Sequence, residues 1–105
     1  MDNEYIDWIK SGDFDPEPQL RALNAVSEAG VSNYLNEVPT FTVCIKTHAV
    51  INALTRLNQL RCRISPSPDG GAMIEFDCDG QYHLIELFND GDIIMLSRHN
   101  EDHQT

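Results

Sequence analysis

The apolar positions of this chain follow two rhythms, and the switch between them divides it into a helical half and a sheet half. Over residues 15–60 apolar side chains recur every three or four positions, the period of a helix buried along one side. Leu20, Leu23, Val26 and Ala29 mark the first stripe. Asp15 is placed to accept from the open amides at its start, Pro16 suits the first helical position, and Glu17 favours the helix dipole. Gly30 suits a left-handed stop, yet Val31, Tyr34, Leu35 and Val38 carry the stripe on to Pro39, so the helix either stops at Gly30 or crosses it. A second helix is expected over residues 42–60, capped by Thr42 or Thr47, with Val50, Ala53, Leu54, Leu57 and Leu60 on its inner face. The run Val43, Cys44, Ile45 allows an extended approach to it. Upstream, Tyr5, Ile6, Trp8 and Ile9 are too apolar for a free tail and predict an arm or short helix over residues 3–10 that packs on the domain and ends at Gly12.

From residue 61 the period falls to two, the mark of strands. Residues 61–65, 72–78, 81–89 and 92–97 read as four of them. Residues 66–71, Pro-Ser-Pro-Asp-Gly-Gly, form a connection rich in turn formers. Asp79-Gly80 and Asp90-Gly91 each read as a two-residue hairpin turn. The polar tail from Arg98 onward is expected to fray. The expected fold is α+β, with two main helices packed on one face of a four-stranded antiparallel meander. A single domain fills residues 1–105: an arm over 1–14, the helical half 15–60, the sheet 61–97 and the tail 98–105.

Short turns fix strand register, so the two faces of the sheet can be written down. Across Asp79-Gly80, Ile74 faces Ile85, Phe76 faces His83 and Ala72 faces Leu87. Across Asp90-Gly91, a two-residue turn sets Leu87 opposite Ile94, Ile85 opposite Leu96 and His83 opposite Arg98. Ile64 opposite Ile74 places Cys62 against Phe76, Arg63 against Glu75 and Arg61 against Asp77, opposite charges in both outer pairs. The core face then holds Ala72, Ile74, Phe76, Ile85, Leu87, Ile94 and Leu96. The other face carries Met73, Glu75, Asp77, Tyr82, Leu84, Glu86, Phe88, Ile93 and Met95. A solvated face is normally mostly polar, so Tyr82, Leu84, Phe88, Ile93 and Met95, rimmed by Glu75, Asp77 and Glu86, predict an interaction patch. The 3–10 arm is the internal candidate to cover it.

Charge adds one feature. The chain carries −10 overall, but residues 41–65 hold four bases and no acid, between strongly acidic flanks. Such a charge opposes binding to nucleic-acid phosphates and anionic membranes and suits basic partners. Three cysteines (Cys44, Cys62, Cys78), none in a Cys-x-x-Cys pair, fit a reducing compartment, and cytoplasmic location is expected. No apolar run approaches the length of a membrane helix. At 105 residues the chain is long enough to fold on its own core without a metal or disulfide.

Catalytic patterns are lacking. The carboxylate pairs Glu75/Asp77 and Asp90/Asp92 read as cross-strand partners of arginine and as turn chemistry. His48, His83, His99 and His103 have no ligand spacing except His99/His103, in the tail. Cys44 or Cys62 with His83 would be a nucleophile and base only if the fold joined them, and buried free cysteine is the commoner state. Asp69-Gly70-Gly71 lacks the lysine and hydroxyl of a phosphate loop and precedes a strand. Neither enzyme activity, nor a cofactor, nor a metal is expected.

Ile64 to Phe76, with its Pro-Ser-Pro-Asp-Gly-Gly turn, and Leu84 to Gly91 resemble a group of small, largely uncharacterised bacterial proteins from mobile-element neighbourhoods. The resemblance spans about residues 45–97. It implies a prokaryotic or phage source and brings no catalytic residues. Together these features predict a non-catalytic acidic protein that binds and inhibits or neutralises a macromolecule. An antitoxin, an immunity protein or a phage inhibitor of host defence such as an anti-CRISPR are the classes in view. The predicted partner is a protein, in particular one with a basic nucleic-acid-binding surface. The alternative is a structural accessory subunit or homodimeric module with no inhibitory role.

Overall fold

A computed structural model describes residues 15–30, 37–57 and 61–99. Helix α1 spans Glu17–Ala29 and α2 spans Phe41–Asn52, which widens into one π-helical turn at Ala53–Leu57. Strands β1 (Cys62–Ser67), β2 (Gly71–Cys78), β3 (Gln81–Phe88) and β4 (Ile93–His99) form one antiparallel sheet in the order β1-β2-β3-β4. This is the expected α+β meander with two helices on one face. The expected 3–10 arm, the 31–36 stretch of the first stripe, Leu60 and the end of the tail with His103 lie outside the described residues.

Both helices start for local reasons. The Asp15 carboxylate accepts from the Glu17 amide at 3.0 Å. Pro16 is the N-cap rather than the first helical residue, its carbonyl accepting from the Leu20 amide at 3.0 Å, and Pro18 is the proline inside the first turn. The helix stops at Gly30, in the left-handed region at φ 76°, whose N–H reaches back to the Val26 and Ser27 carbonyls. In α2 the cap is Thr40 rather than Thr42 or Thr47: its hydroxyl accepts from the Val43 amide at 3.2 Å. Val43, Cys44 and Ile45 are therefore helical, not extended. The inner face also differs from expectation. Val43, Cys44, Thr47 and Ile51 are buried, Val50 and Leu54 flank them, and Ala53 is exposed. Thr47 is tolerated there because its hydroxyl donates to the Val43 carbonyl at 2.8 Å. Because the run Val43, Cys44, Ile45 is helical, Val43 and Cys44 reach the core one turn ahead of Thr47 and Ile51.

Leu20 and Leu23 from α1 join Val43, Cys44 and Ile51 from α2 over Cys62, Ile64, Ala72, Ile74, Ile85 and Leu87 of the sheet. The β1–β2 register sets Cys62 opposite Phe76, Arg63 opposite Glu75 and Ile64 opposite Ile74, as expected. Arg61 stands just ahead of β1, so its expected pairing with Asp77 is not part of the ladder. Asp79 (φ 54°) and Gly80 (φ 76°) make the two-residue turn, and Ile74 meets Ile85 across it.

The β3–β4 register is shifted by one residue from expectation. Leu84 pairs with Leu96, Ile85 with Met95, Glu86 with Ile94, Leu87 with Ile93, and His83 with Ser97 rather than Arg98. The turn causes the shift. The Phe88 amide donates to the Asp92 carbonyl at 2.9 Å and the Gly91 amide to the Phe88 carbonyl at 3.0 Å, with Gly91 at φ 101°. Asn89-Asp90-Gly91 is thus a three-residue loop closed by a left-handed glycine. A one-residue slip turns every side chain over. Ile94 and Leu96, expected in the core, lie on the outer face. Ile93 and Met95, expected on the outer face, lie on the helix side. Among the described elements the helices cover β1 to β3 and stop short of β4, which leaves Ile93 and Met95 57 % and 66 % exposed, while Ile94 and Leu96 are 51 % and 52 % exposed on the opposite face. The strand also runs through Arg98 and His99, which were expected in the frayed tail.

Candidate interaction surface

The outer face is built by β2, β3 and β4 together. Leu84 lies across from Leu96 on β4, Glu86 across from Ile94, and Phe88 across from Asp92. Leu84 and Phe88 are half-buried, while Ile94 and Leu96 are 51 % and 52 % exposed. These four form an apolar strip across β3 and β4, with Glu86 standing between Leu84 and Phe88 on the same face. Of the expected patch, Tyr82, Leu84, Glu86, Phe88, Glu75 and Asp77 are brought together here. Ile93 and Met95 are not, and Ile94 and Leu96 take their place.

The rim is less available than its charge suggests. The Tyr82 hydroxyl donates to a Glu75 carboxylate oxygen at 2.6 Å, and the Ser67 hydroxyl donates to Glu86 at 2.5 Å. Ser67 is fully buried and also accepts from the Asp69 amide, so Glu86 is tied to the β1–β2 turn. Partial desolvation first, and then the Glu75 carboxylate, push the Tyr82 phenol up to about 12, against the nearby Arg98. The Arg98 guanidinium lies 4.7 Å from the centre of the Tyr82 ring, a cation–π contact that pins the end of β4 to β3. Glu75 and Glu86 of the rim thus hold the sheet itself.

The candidate nucleophile and base are kept apart. Phe76 lies between Cys62 on β1 and His83 on β3, two strand spacings or roughly 10 Å across. His83 stacks on Phe76 at 5.0 Å and bonds the Ser97 hydroxyl at 2.7 Å. Burial pushes the Cys62 thiol up to about 11, which keeps it protonated.

A second feature escaped the sequence reading. A pocket of about 360 Å³ opens between α1 and α2, lined by Asn24, Ser27, Glu28, Phe41, Cys44, Ile45 and His48. Phe41 and Ile45 are 75 % and 53 % exposed beside it. Their spacing of four on α2 is a legible signal, obscured by the alternative that the run Val43, Cys44, Ile45 is an extended approach to the helix. Cys44, His48 and Asn24 meet here in a pattern that can support thiol chemistry, but the geometry opposes it. Cys44 is 3 % exposed, burial raises its thiol more than the Ser27 hydrogen bond lowers it, and Asn24 reaches His48 only at 3.5 Å. Among the described residues no group of histidine, cysteine and carboxylate side chains could hold a metal, and no helix is long and apolar enough to cross a membrane. No family model, curated protein or solved structure matches the chain.

Proposed function

We propose that this chain is a non-catalytic binding protein that inhibits or neutralises a macromolecular partner, in the manner of an antitoxin, an immunity protein or a phage-borne inhibitor of host defence. The observation that carries the reading is the outer strip of Leu84, Phe88, Ile94 and Leu96, apolar on a face that water would otherwise cover. Its rigid framing supports the same view: Tyr82–Glu75, Ser67–Glu86 and Arg98–Tyr82 hold the strip's neighbours in place, which lowers the ordering cost of docking. A net charge of −10 favours a basic partner surface and disfavours nucleic acid itself.

Affinity capture from cells of the native host tests this. The unaltered chain should recover one protein in stoichiometric amount. Leu84→Glu and Leu96→Glu, each placing a carboxylate on the strip, should reduce recovery by about tenfold or more. Recovery of no stoichiometric partner, or of one indifferent to both changes, overturns the reading.

A further inference from the structure

The sheet has two outer edges, and the fold treats them oppositely. On β1 the backbone groups of Cys62, Ile64 and Pro66 point away from β2. The Ile64 amide donates to the Gln19 side-chain oxygen at 2.6 Å, and the Gln19 side-chain nitrogen donates to the Cys62 carbonyl at 3.1 Å. The third position is proline, which has no N–H to offer. One glutamine of α1 therefore stands in for a neighbouring strand, and this edge is closed.

The β4 edge carries no such device among the described residues. The bond from the Phe88 amide to Asp92 sets the parity: Asp92, Ile94, Leu96 and Arg98 turn their backbone groups toward β3, and Ile93, Met95 and Ser97 turn theirs outward. The outward amides of these three have no partner among the described residues. Neither proline nor lysine interrupts the strand, and Ile93, Ile94, Met95 and Leu96 are each more than half exposed. A long, apolar, open edge of this kind is a template for another strand.

We propose that β4 pairs antiparallel with β4 of a second copy of this chain, about a two-fold axis at Met95. A symmetric pair in which outward groups meet can centre on Ile94, Met95 or Leu96. Centring on Ile94 sets Asp92 against Leu96 of the other copy, and centring on Leu96 sets Arg98 against Ile94; both oppose a charge to an apolar side chain. Centring on Met95 sets Asp92 against Arg98 at both ends of the seam, Ile94 against Leu96, Ile93 against Ser97 and Met95 against itself. The strand is its own complement in charge and in apolar pattern, which is what selects a second copy over an unrelated strand. About six new backbone hydrogen bonds close the edge. The product is one continuous eight-stranded sheet in which the two outer strips adjoin.

Sedimentation equilibrium of the pure chain tests the seam without reference to any partner, so it stands or falls separately from the binding reading. The chain should sediment at twice 11.9 kDa. Met95→Pro should sediment as a monomer with unchanged circular dichroism, because the N–H it removes points away from β3. Asp92→Arg and Arg98→Asp should each weaken self-association by about tenfold, since each creates two like-charge contacts per dimer, and the double variant should restore it. The charge exchange decides the matter if Met95→Pro proves unfolded. A monomeric unaltered chain, or a dimer that tolerates both single charge variants, overturns the proposal.

Discussion

Gly71 opens β2 at φ 142°, and a Cβ built there would lie 2.0 Å from the Leu87 carbonyl oxygen on β3. Neither the torsion nor the contact can relax without separating two central strands. Gly71→Ala should therefore cost more than about 3 kcal/mol. Gly80 shares a positive φ of 76° but has open space around its Cβ position. Gly80→Ala should cost only about 1 kcal/mol, the left-handed penalty alone. Urea denaturation of the two variants checks the ratio. The sequence shows both as turn glycines and does not rank them, because the ranking depends on a strand that arrives from sixteen residues away.

At the scale of elements, the clearest dependence is of β1 on α1. Gln19 is half-buried and reads in the sequence as one more polar position between apolar ones. In the fold it satisfies the Ile64 amide and the Cys62 carbonyl of an edge strand. Gln19→Leu leaves both unpaired at the margin of the core and should lower the unfolding free energy by about 2 kcal/mol, read from the urea midpoint at unchanged slope. The opposite end of the sheet is governed by Asn89. Its side chain accepts from the Thr40 amide at 2.9 Å and donates to the Val38 carbonyl at 2.8 Å, binding the start of α2 to the β3–β4 loop. The two Asp-Gly pairs show how far local signals reach. Asp79-Gly80 makes the turn its sequence implies. Asp90-Gly91 recruits Asn89 into a longer loop, with the Asp92 amide held by the Asp90 carboxylate at 3.0 Å. What sets the second turn apart is that the Asn89 side chain before it is held by the start of α2.

At the scale of the molecule, Cys62 and Tyr82 are the described groups with the largest shifts that link folding to alkaline pH, and burial moves the Cys44 thiol in the same direction. Cys62 rises from 9.0 to about 11 and Tyr82 from 10.0 to about 12, chiefly because folding desolvates them. A raised pKa in the folded state means that the unfolded chain ionises first. The stability these groups support is full below their ordinary values. It is lost as pH climbs from 9.0 to about 11 for Cys62 and from 10.0 to about 12 for Tyr82. Thermal unfolding followed across this range should show a falling midpoint. Cys62→Ala should flatten the first part of the fall and Tyr82→Phe the second. A midpoint that stays level up to pH 12 would show that neither group is held in its neutral form.

The sequence by itself determined the fold class, the strand order, the registers of β1–β2 and β2–β3 and most of the sheet's core residues, because period-two alternation and turn residues act over a few neighbours. It also marked an outer face too apolar for water. Tertiary structure alone decided which residues complete that face. The three-residue loop moved Ile94 and Leu96 outward and Ile93 and Met95 inward, and among the described residues the two short helices do not reach far enough to cover Ile93 and Met95. Both outcomes depend on packing between segments distant in the chain: how α2 is anchored at Asn89, and how far the helix layer extends over a four-stranded sheet. Local pattern carries no information about either.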